Sequence, residues 1–292
     1  MRPRFLMCLL LCLSGCGTSL TGPSSASGLP WSPYIGIHTN PQAMPGYRVA
    51  LTSLQEHNAL RGIRIRTSSF EPTWGMTELA KSLGLEIVGI VPNEELFEDD
   101  VEGMMDRVIQ RHYPDVTIFQ IGNELTTIIP RTQAQLPIEA YMMKLKRIYR
   151  HVRETYPDII LITQSTVSMT YGAKELRQMA KLGLQEMSPE YLIIGINMYN
   201  NVALNEVATI RNQYLTGYRV WVMEAGINNP QKQVKFVQDF YPRIFNILGA
   251  ERIYWYVLWE GDDGSFSGSN LIWHPFTPNI LTSALFNTLT GK

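Results

Sequence analysis

Cysteine is missing from residue 17 to the end of the chain; Cys8, Cys12 and Cys16 are the only three in 292 residues. A disulfide framework, a zinc–thiolate site and a cysteine nucleophile are therefore excluded from the body of the protein. An excess of charge of either sign is also missing, since 25 basic side chains face 26 acidic ones and leave a formal charge of −1 at pH 7. A general nucleic-acid surface needs concentrated Lys and Arg, so no nucleic-acid partner is expected. The apolar run from Phe5 to Leu13 is too short to cross a bilayer of about 30 Å as a helix. With 45% hydrophobic and 17% charged residues, the chain is neither collagen-like, nor a disordered tail, nor a disulfide miniprotein. Its length suits one large domain or two small ones.

Arg2 and Arg4 stand before that short apolar run, in the order of a secretory signal. At its end, Leu13-Ser14-Gly15-Cys16 resembles a bacterial lipobox. The resemblance implies that residues 1–15 are removed and that Cys16 becomes a lipid anchor on a membrane of the cell envelope. Gly17 differs from the aspartate that retains similar lipoproteins at the inner membrane, so the outer membrane is the expected site. Residues 16–32, rich in Ser, Gly, Thr and Pro, read as a flexible tether. The expected domain runs from 33 to 292.

From Tyr34 onward, short apolar runs alternate eight times with longer helical ones. The expected strands are 34–38, 62–66, 86–91, 118–124, 159–164, 192–199, 220–226 and 252–259. The expected helices are 45–58, 73–83, 98–112, 138–155, 173–184, 204–215, 231–248 and 279–289. Most strands are continuous apolar runs, as parallel strands covered on both faces require. Helix 138–155 repeats Ile138, Tyr141, Met142, Leu145, Ile148, Tyr149 and Val152 at three- and four-residue steps. Eight β-then-α units predict a single (β/α)₈ (TIM) barrel in the α/β class. A doubly wound sheet would carry a glycine fingerprint after its first strand, and His38-Thr39-Asn40-Pro41 is not one.

Barrel chemistry takes place at the C-terminal ends of the strands. The polar residues expected there are His38, Arg64 and Arg66, Asn93 and Glu94, Asn123 and Glu124, Gln164, Asn197 and Tyr199, Glu224, and Trp259 with Glu260. Glu124 and Glu224 end strands four and seven and face each other across the cavity mouth. Paired carboxyls of this kind suit retaining glycoside hydrolysis, in which one protonates the leaving oxygen and the other attacks the anomeric carbon. Of Arg64 and Arg66, only one is expected to point into the barrel, and Arg66, nearer the strand end, is the expected one. His38 reads equally as a barrel-mouth histidine or a sugar ligand. Asp262-Asp263-Gly264 lacks the spacing of a calcium loop and reads as a turn. No metal and no cofactor are expected.

Gly122-Asn123-Glu124, Val222-Met223-Glu224-Ala225-Gly226 and Tyr256-Val257-Leu258-Trp259-Glu260 resemble glycoside hydrolase clan A. Within it, the β-1,3-glucanases of plants and fungi are echoed by Val88-Gly89-Ile90-Val91-Pro92-Asn93-Glu94-Glu95-Leu96 and by Asn197-Met198-Tyr199. The chain departs from that family after Glu224, where Ala225-Gly226-Ile227 replaces Gly-Trp-Pro, and at Asn200, where a proline is common. The resemblance implies that Glu124 is the acid/base and Glu224 the nucleophile of an enzyme acting on a glucan-like polysaccharide or oligosaccharide. Asn123 then meets the sugar 2-hydroxyl, Tyr199 and Arg66 keep Glu224 ionised, and Asn197 and His38 line the site. Trp259 offers a face for a pyranose ring, with Trp74, Tyr34 and Trp255 as further stacking candidates. The alternative is a carbohydrate-binding lipoprotein on the same barrel that has lost turnover; its mark would be a missing carboxylate, and both are present.

Overall fold

The computed structural model describes residues 34–37, 40–125, 136–166, 170–259, 269–273 and 281–291. Cys16 and its tether, His38, Glu260 and Asp262-Asp263-Gly264 lie outside the described residues.

Eight strands close a parallel barrel in sequence order: β1 Tyr34–Ile37, β2 Gly62–Arg66, β3 Glu86–Val91, β4 Ile118–Ile121, β5 Ile160–Ile162, β6 Leu192–Asn197, β7 Val220–Ala225 and β8 Arg252–Trp255. The ring is sealed where Tyr34 and Ile35 pair with Tyr254 and Trp255. Helices α1 Met44–Glu56, α2 Met76–Ser82, α3 Val101–His112, α4 Ile138–Thr155, α5 Thr170–Lys181, α6 Asn201–Tyr214 and α7 Gln233–Arg243 each follow their strand. A two-stranded antiparallel pair, β9 Ile272–Trp273 with β10 Leu281–Thr282, precedes the last helix, α8 Ala284–Thr290. The architecture is a single (β/α)₈ barrel. Among the described residues no helix is long and apolar enough to cross a membrane.

Local chemistry explains the helix ends. The Asp100 carboxylate accepts from the Gly103 N–H at 2.9 Å, while Arg111 and His112 close α3 at the carbonyl end of its dipole. The expected start of the last helix at 279 is corrected: the Ser283 hydroxyl accepts from Phe286 N–H at 3.2 Å, and Leu281–Thr282 is paired backbone. A serine cap whose hydroxyl takes up a free N–H of the first turn sets the boundary more strongly than the apolar pattern ahead of it.

Two apolar layers result from strand alternation. Ile63, Ile65, Phe119, Leu161 and Val222 face outward and join the buried stripes of the helices in one large core. Val88, Ile162, Ile193, Trp221, Met223 and Tyr254 fill the barrel itself. Below them Arg252 lies over the Trp221 ring, 3.7 Å from its centroid, and pairs with Glu86. Burial holds the Glu86 carboxyl above its ordinary range in spite of that arginine. Tyr34 packs on Tyr254 in this floor, with centroids 5.1 Å apart, and Trp255 faces the helices, its indole N–H donating to Ser269 O at 2.8 Å. Neither is at the mouth, which corrects their place among the stacking candidates: Tyr34 opens its strand, and Trp255 has the outward parity of β8.

Arg252→Met is expected to lower the urea unfolding free energy by about 2 kcal/mol, less than for a fully buried pair because both partners are partly solvated. The double variant Arg252→Met/Glu86→Gln should recover part of that loss, since no uncompensated carboxylate remains, and equilibrium denaturation measures both.

Candidate active site

The ladder of β4 stops at Ile121, short of the predicted end at Glu124. Gly122 turns the chain with φ 80°, and Glu124 itself takes φ 47°, a left-handed conformation unusual for a glutamate. A Cβ at residue 122 would sit 2.5 Å from Leu125 Cδ1 and 2.7 Å from Leu96 Cδ1, so only glycine fits. The turn is clamped from β3, where Asn93 Nδ2 donates to Asn123 O at 2.6 Å and Asn123 N–H donates to Asn93 Oδ1 at 2.7 Å. From the β5 side, Glu124 N–H donates to Ser165 O at 3.0 Å, and Leu125 N–H to Gln164 Oε1 at 2.9 Å. The Glu124–Ser165 bond belongs to a parallel bridge between Asn123 and Ser165, and the side-chain contacts from Asn93 and Gln164 satisfy backbone groups that the turn takes out of the ladder.

Glu224 arrives by a different device. Along β7, Trp221 and Met223 face the barrel interior and Val220 and Val222 the helices, so strict alternation would send Glu224 outward. Asn197 of β6 pairs with Glu224 instead of Met223, the register shifts there, and Ala225 takes the outward place. This bulge brings Glu224 into the lumen, a common use of bulges beside functional sites.

Arg64 ties the pair together. Its Nη1 donates to Glu224 Oε1 at 2.9 Å, its Nε to Gln120 Oε1 at 2.8 Å and its Nη2 to Asn123 Oδ1 at 3.2 Å. Gln120 in turn donates to Ser165 Oγ at 2.7 Å and to Gly122 O at 2.8 Å. The other Glu224 oxygen, Oε2, accepts from the Tyr199 hydroxyl at 2.7 Å. Asn197 Nδ2 donates to Glu124 Oε1 at 2.8 Å.

The two carboxyls are held in unlike electrostatic surroundings. Glu124 is pushed up to about 7, first by burial and then by the charge of Glu224, with Asn197 and Arg64 pulling the other way. Burial beside Glu224 also holds the Tyr199 phenol well above its ordinary range, so it remains a donor. Glu224 meets a guanidinium and a hydroxyl, one on each oxygen, a setting that suits a carboxylate. The arrangement therefore sets a carboxyl whose proton is favoured up to about pH 7 beside a second carboxyl held by a guanidinium and a hydroxyl, at a single barrel mouth.

The expectation for Arg66 is corrected. Residues 64 and 66 are two apart and share a face; depth separates them. Arg64, 6% exposed, reaches Glu224, whereas Arg66 sits a step higher, binds Glu71 and Glu94, and is partly solvated. Trp259, 7% exposed, is packed into the outer core and offers little of the open face expected of it. Gln120 and Ser165 do not stand out in the sequence; the inward parity of Gln120 on β4 is the signal that points to it. Among the described residues no group of three His, Cys, Asp or Glu side chains is placed to hold a metal ion.

Gly122→Ala is expected to cost roughly 2 kcal/mol through left-handed strain and the clash with Leu96 and Leu125. Chemical denaturation checks this, and a loss below about 0.5 kcal/mol, the size of an ordinary surface change, would contradict it.

No protein-family model matches the chain, and no curated protein matches it. Solved structures do. A β-mannanase from Thermomonospora fusca in complex with mannohexaose is 13% identical, with 84% of each chain covered and a TM-score of 0.57. A monomeric β-xylosidase from Caulobacter crescentus is 10% identical over 89% of this chain and 67% of its own, with a TM-score of 0.64. An endo-β-1,6-glucanase is 9% identical over 89% of this chain and 75% of its own, with a TM-score of 0.65. At such identities the likeness is one of fold, a (β/α)₈ barrel of the kind these glycosidases use.

Proposed function

We propose that this protein is a retaining glycoside hydrolase or transglycosylase acting on a β-linked, glucan-like polysaccharide, with Glu124 as acid/base and Glu224 as nucleophile. The observation that carries the reading is the unlike pair: a buried Glu124 pushed up to about 7 beside a Glu224 bound by Arg64 and Tyr199. In the first step Glu124 gives its proton to the glycosidic oxygen, a carboxylate oxygen of Glu224 bonds to the anomeric carbon, and the bond to the leaving sugar breaks. In the second, Glu124, now ionised, takes a proton from water or an acceptor hydroxyl, whose oxygen bonds to the anomeric carbon and releases Glu224. Asn123 Oδ1 is turned to Arg64, which leaves its Nδ2 to donate to the sugar 2-hydroxyl. Asn197 orients Glu124.

β-1,3-Glucan is the substrate implied by the sequence resemblance; mannan, xylan and β-1,6-glucan belong beside it in any panel. Glu224→Gln and Glu124→Gln should each lower kcat on the polysaccharide by at least about 10²-fold. On an aryl glycoside with a good leaving group, which needs little protonation, Glu124→Gln should lose far less than Glu224→Gln. Equal losses of the two variants on both substrates would overturn the role assignment, and inverted product stereochemistry by NMR would overturn the mechanism.

The acid must be protonated to act, so activity should fall as pH rises through about 7, where Glu124 ionises. Glu224→Gln removes the negative charge that favours the proton on Glu124, so its carboxyl should titrate at lower pH, read by ¹³C NMR of labelled glutamate.

We further propose that Cys16 carries the lipid that fixes the enzyme to the cell envelope, on the support of the lipobox-like order of residues 13–16. Labelled fatty acid should enter the parent chain and not Cys16→Ser; equal labelling of both would refute it.

A further inference from the structure

The rim on the β2–β3 side of the barrel has a built character that the two carboxyls do not require. Of the seven large hydrophobic side chains exposed among the described residues, three, Phe70, Trp74 and Phe97, sit on the loops after β2 and β3. Phe70 is 59% and Trp74 47% exposed. Exposed aromatics on a loose loop would mean little, but residues 68–71 are pinned, and Thr73, next to Trp74, accepts from Thr77 Oγ1 at 2.9 Å and from Met76 N–H at 3.0 Å. Glu95, 2% exposed, turns both carboxylate oxygens to Ser69 N–H, at 3.0 and 3.1 Å. Ser68 Oγ accepts from Phe70 N–H and Glu71 N–H, both at 3.2 Å, and a ring nitrogen of His112 meets Ser68 O at 3.0 Å. Trp74 takes φ 55°, a left-handed conformation that a bulky side chain adopts only at a cost, just ahead of Gly75 at φ 82°.

A fixed loop that holds an indole out to water in a strained conformation gains nothing for the fold by doing so. It does pre-organise a flat apolar face at the end of the barrel where the strand termini gather. Pyranose rings present such a face through their C–H bonds, and their hydroxyls need acceptors alongside. Those acceptors are on the same rim: Glu71 and Glu94, both on Arg66 and both about half exposed. The loop after β3 continues through Glu98, Asp99 and Asp100, where Arg107 pairs with Glu98 and Arg147 lies near Asp99, so the five carboxylates of this rim still outnumber the cations set against them. This charge repels polyuronates and leaves neutral sugars.

We infer that Trp74 and Phe70, with Glu71 and Glu94 beside them, form a distal subsite for a neutral β-linked pyranose unit of the chain being cleaved. The inference rests on the proposed glycosidase activity and adds to it that the substrate is a neutral polysaccharide long enough to reach the β2–β3 rim. Occupation of this subsite by a remote sugar would help position the scissile bond.

Calorimetric titration of the Glu224→Gln protein with mannohexaose, xylohexaose, laminarihexaose and hexagalacturonate, with and without Trp74→Gly, tests it. The neutral hexasaccharide that binds best should bind roughly tenfold more weakly after Trp74→Gly, the size of one aromatic contact with its buried area. Phe70→Ala should weaken it in the same direction. The thermal transition of Trp74→Gly should hold or rise, because glycine relieves the left-handed strain; a merely structural tryptophan would lower it. Unchanged hexasaccharide affinity in both variants would overturn the subsite while leaving the roles of Glu124 and Glu224 standing. So would an aromatic rim that instead joins two copies, seen as a parent dimer that Trp74→Gly splits without loss of sugar binding. Hexagalacturonate binding as tightly as the neutral chains would overturn the specificity. No binding of any hexasaccharide would overturn the subsite, and whether the glycosidase activity falls with it is decided separately by turnover in the Glu124 and Glu224 variants.

Discussion

The site depends on one buried ion pair, Arg64 with Glu224, formed across the lumen between β2 and β7. Two charges taken out of water cost several kcal/mol each unless every polar atom around them is matched. Both ions are matched here: Arg64 also serves Gln120 and Asn123, and Glu224 also receives Tyr199. The cation reaches the strand-four turn through Asn123 and the strand-seven carboxylate directly. It therefore fixes the spacing of the two halves of the site as well as the charge on one of them. A neutral side chain at residue 64 would leave Glu224 buried with the Tyr199 hydroxyl but without its cation.

The difference between the two carboxyls is the chemical content of the site. Glu124 and Glu224 are the same residue type within one cavity, and their surroundings set them apart. Burial and the neighbouring charge favour the proton on Glu124, whereas Glu224 is bound by a guanidinium on one oxygen and a phenol on the other. Backbone geometry makes this possible. A left-handed turn at Gly122 and Glu124 carries one carboxyl past the end of its ladder, and a bulge in β7 rotates the other inward. The turn that carries Glu124 is held from Asn93 on one side and from Ser165 and Gln164 on the other, while Glu224 is held by Arg64 and Tyr199.

The same economy of fixed loops extends outward from the mouth. Glu95 is used for holding a loop, not for chemistry, and the loop it holds carries the exposed aromatics. The eight β/α units account for most of the described residues between 34 and 291, and the loops that follow their strands surround Glu124 and Glu224.

Much of this was legible in the chain. Continuous apolar strands alternating with helical stripes settled the eight-unit barrel, because period and count are local properties of sequence. Glu124 and Glu224 stood out for the same reason, each being a carboxylate at the end of a countable strand. What sequence left undecided were depth and facing. Arg64 and Arg66 share a face, and only the height of each along the closed barrel shows which meets Glu224. Alternation alone turns Glu224 away from the lumen, and the extra residue that corrects it is a matter of pairing with β6, at Asn197. Tyr34 and Trp255 read as stacking candidates in the sequence, and the closed ring places one in the floor and the other under the helices. The sequence by itself determined the eight β/α units and their order and singled out the two carboxylates; the tertiary structure decided the β9–β10 pair ahead of the last helix, which arginine meets Glu224 and where each side chain points, because register and closure are set by contacts between strands distant in sequence.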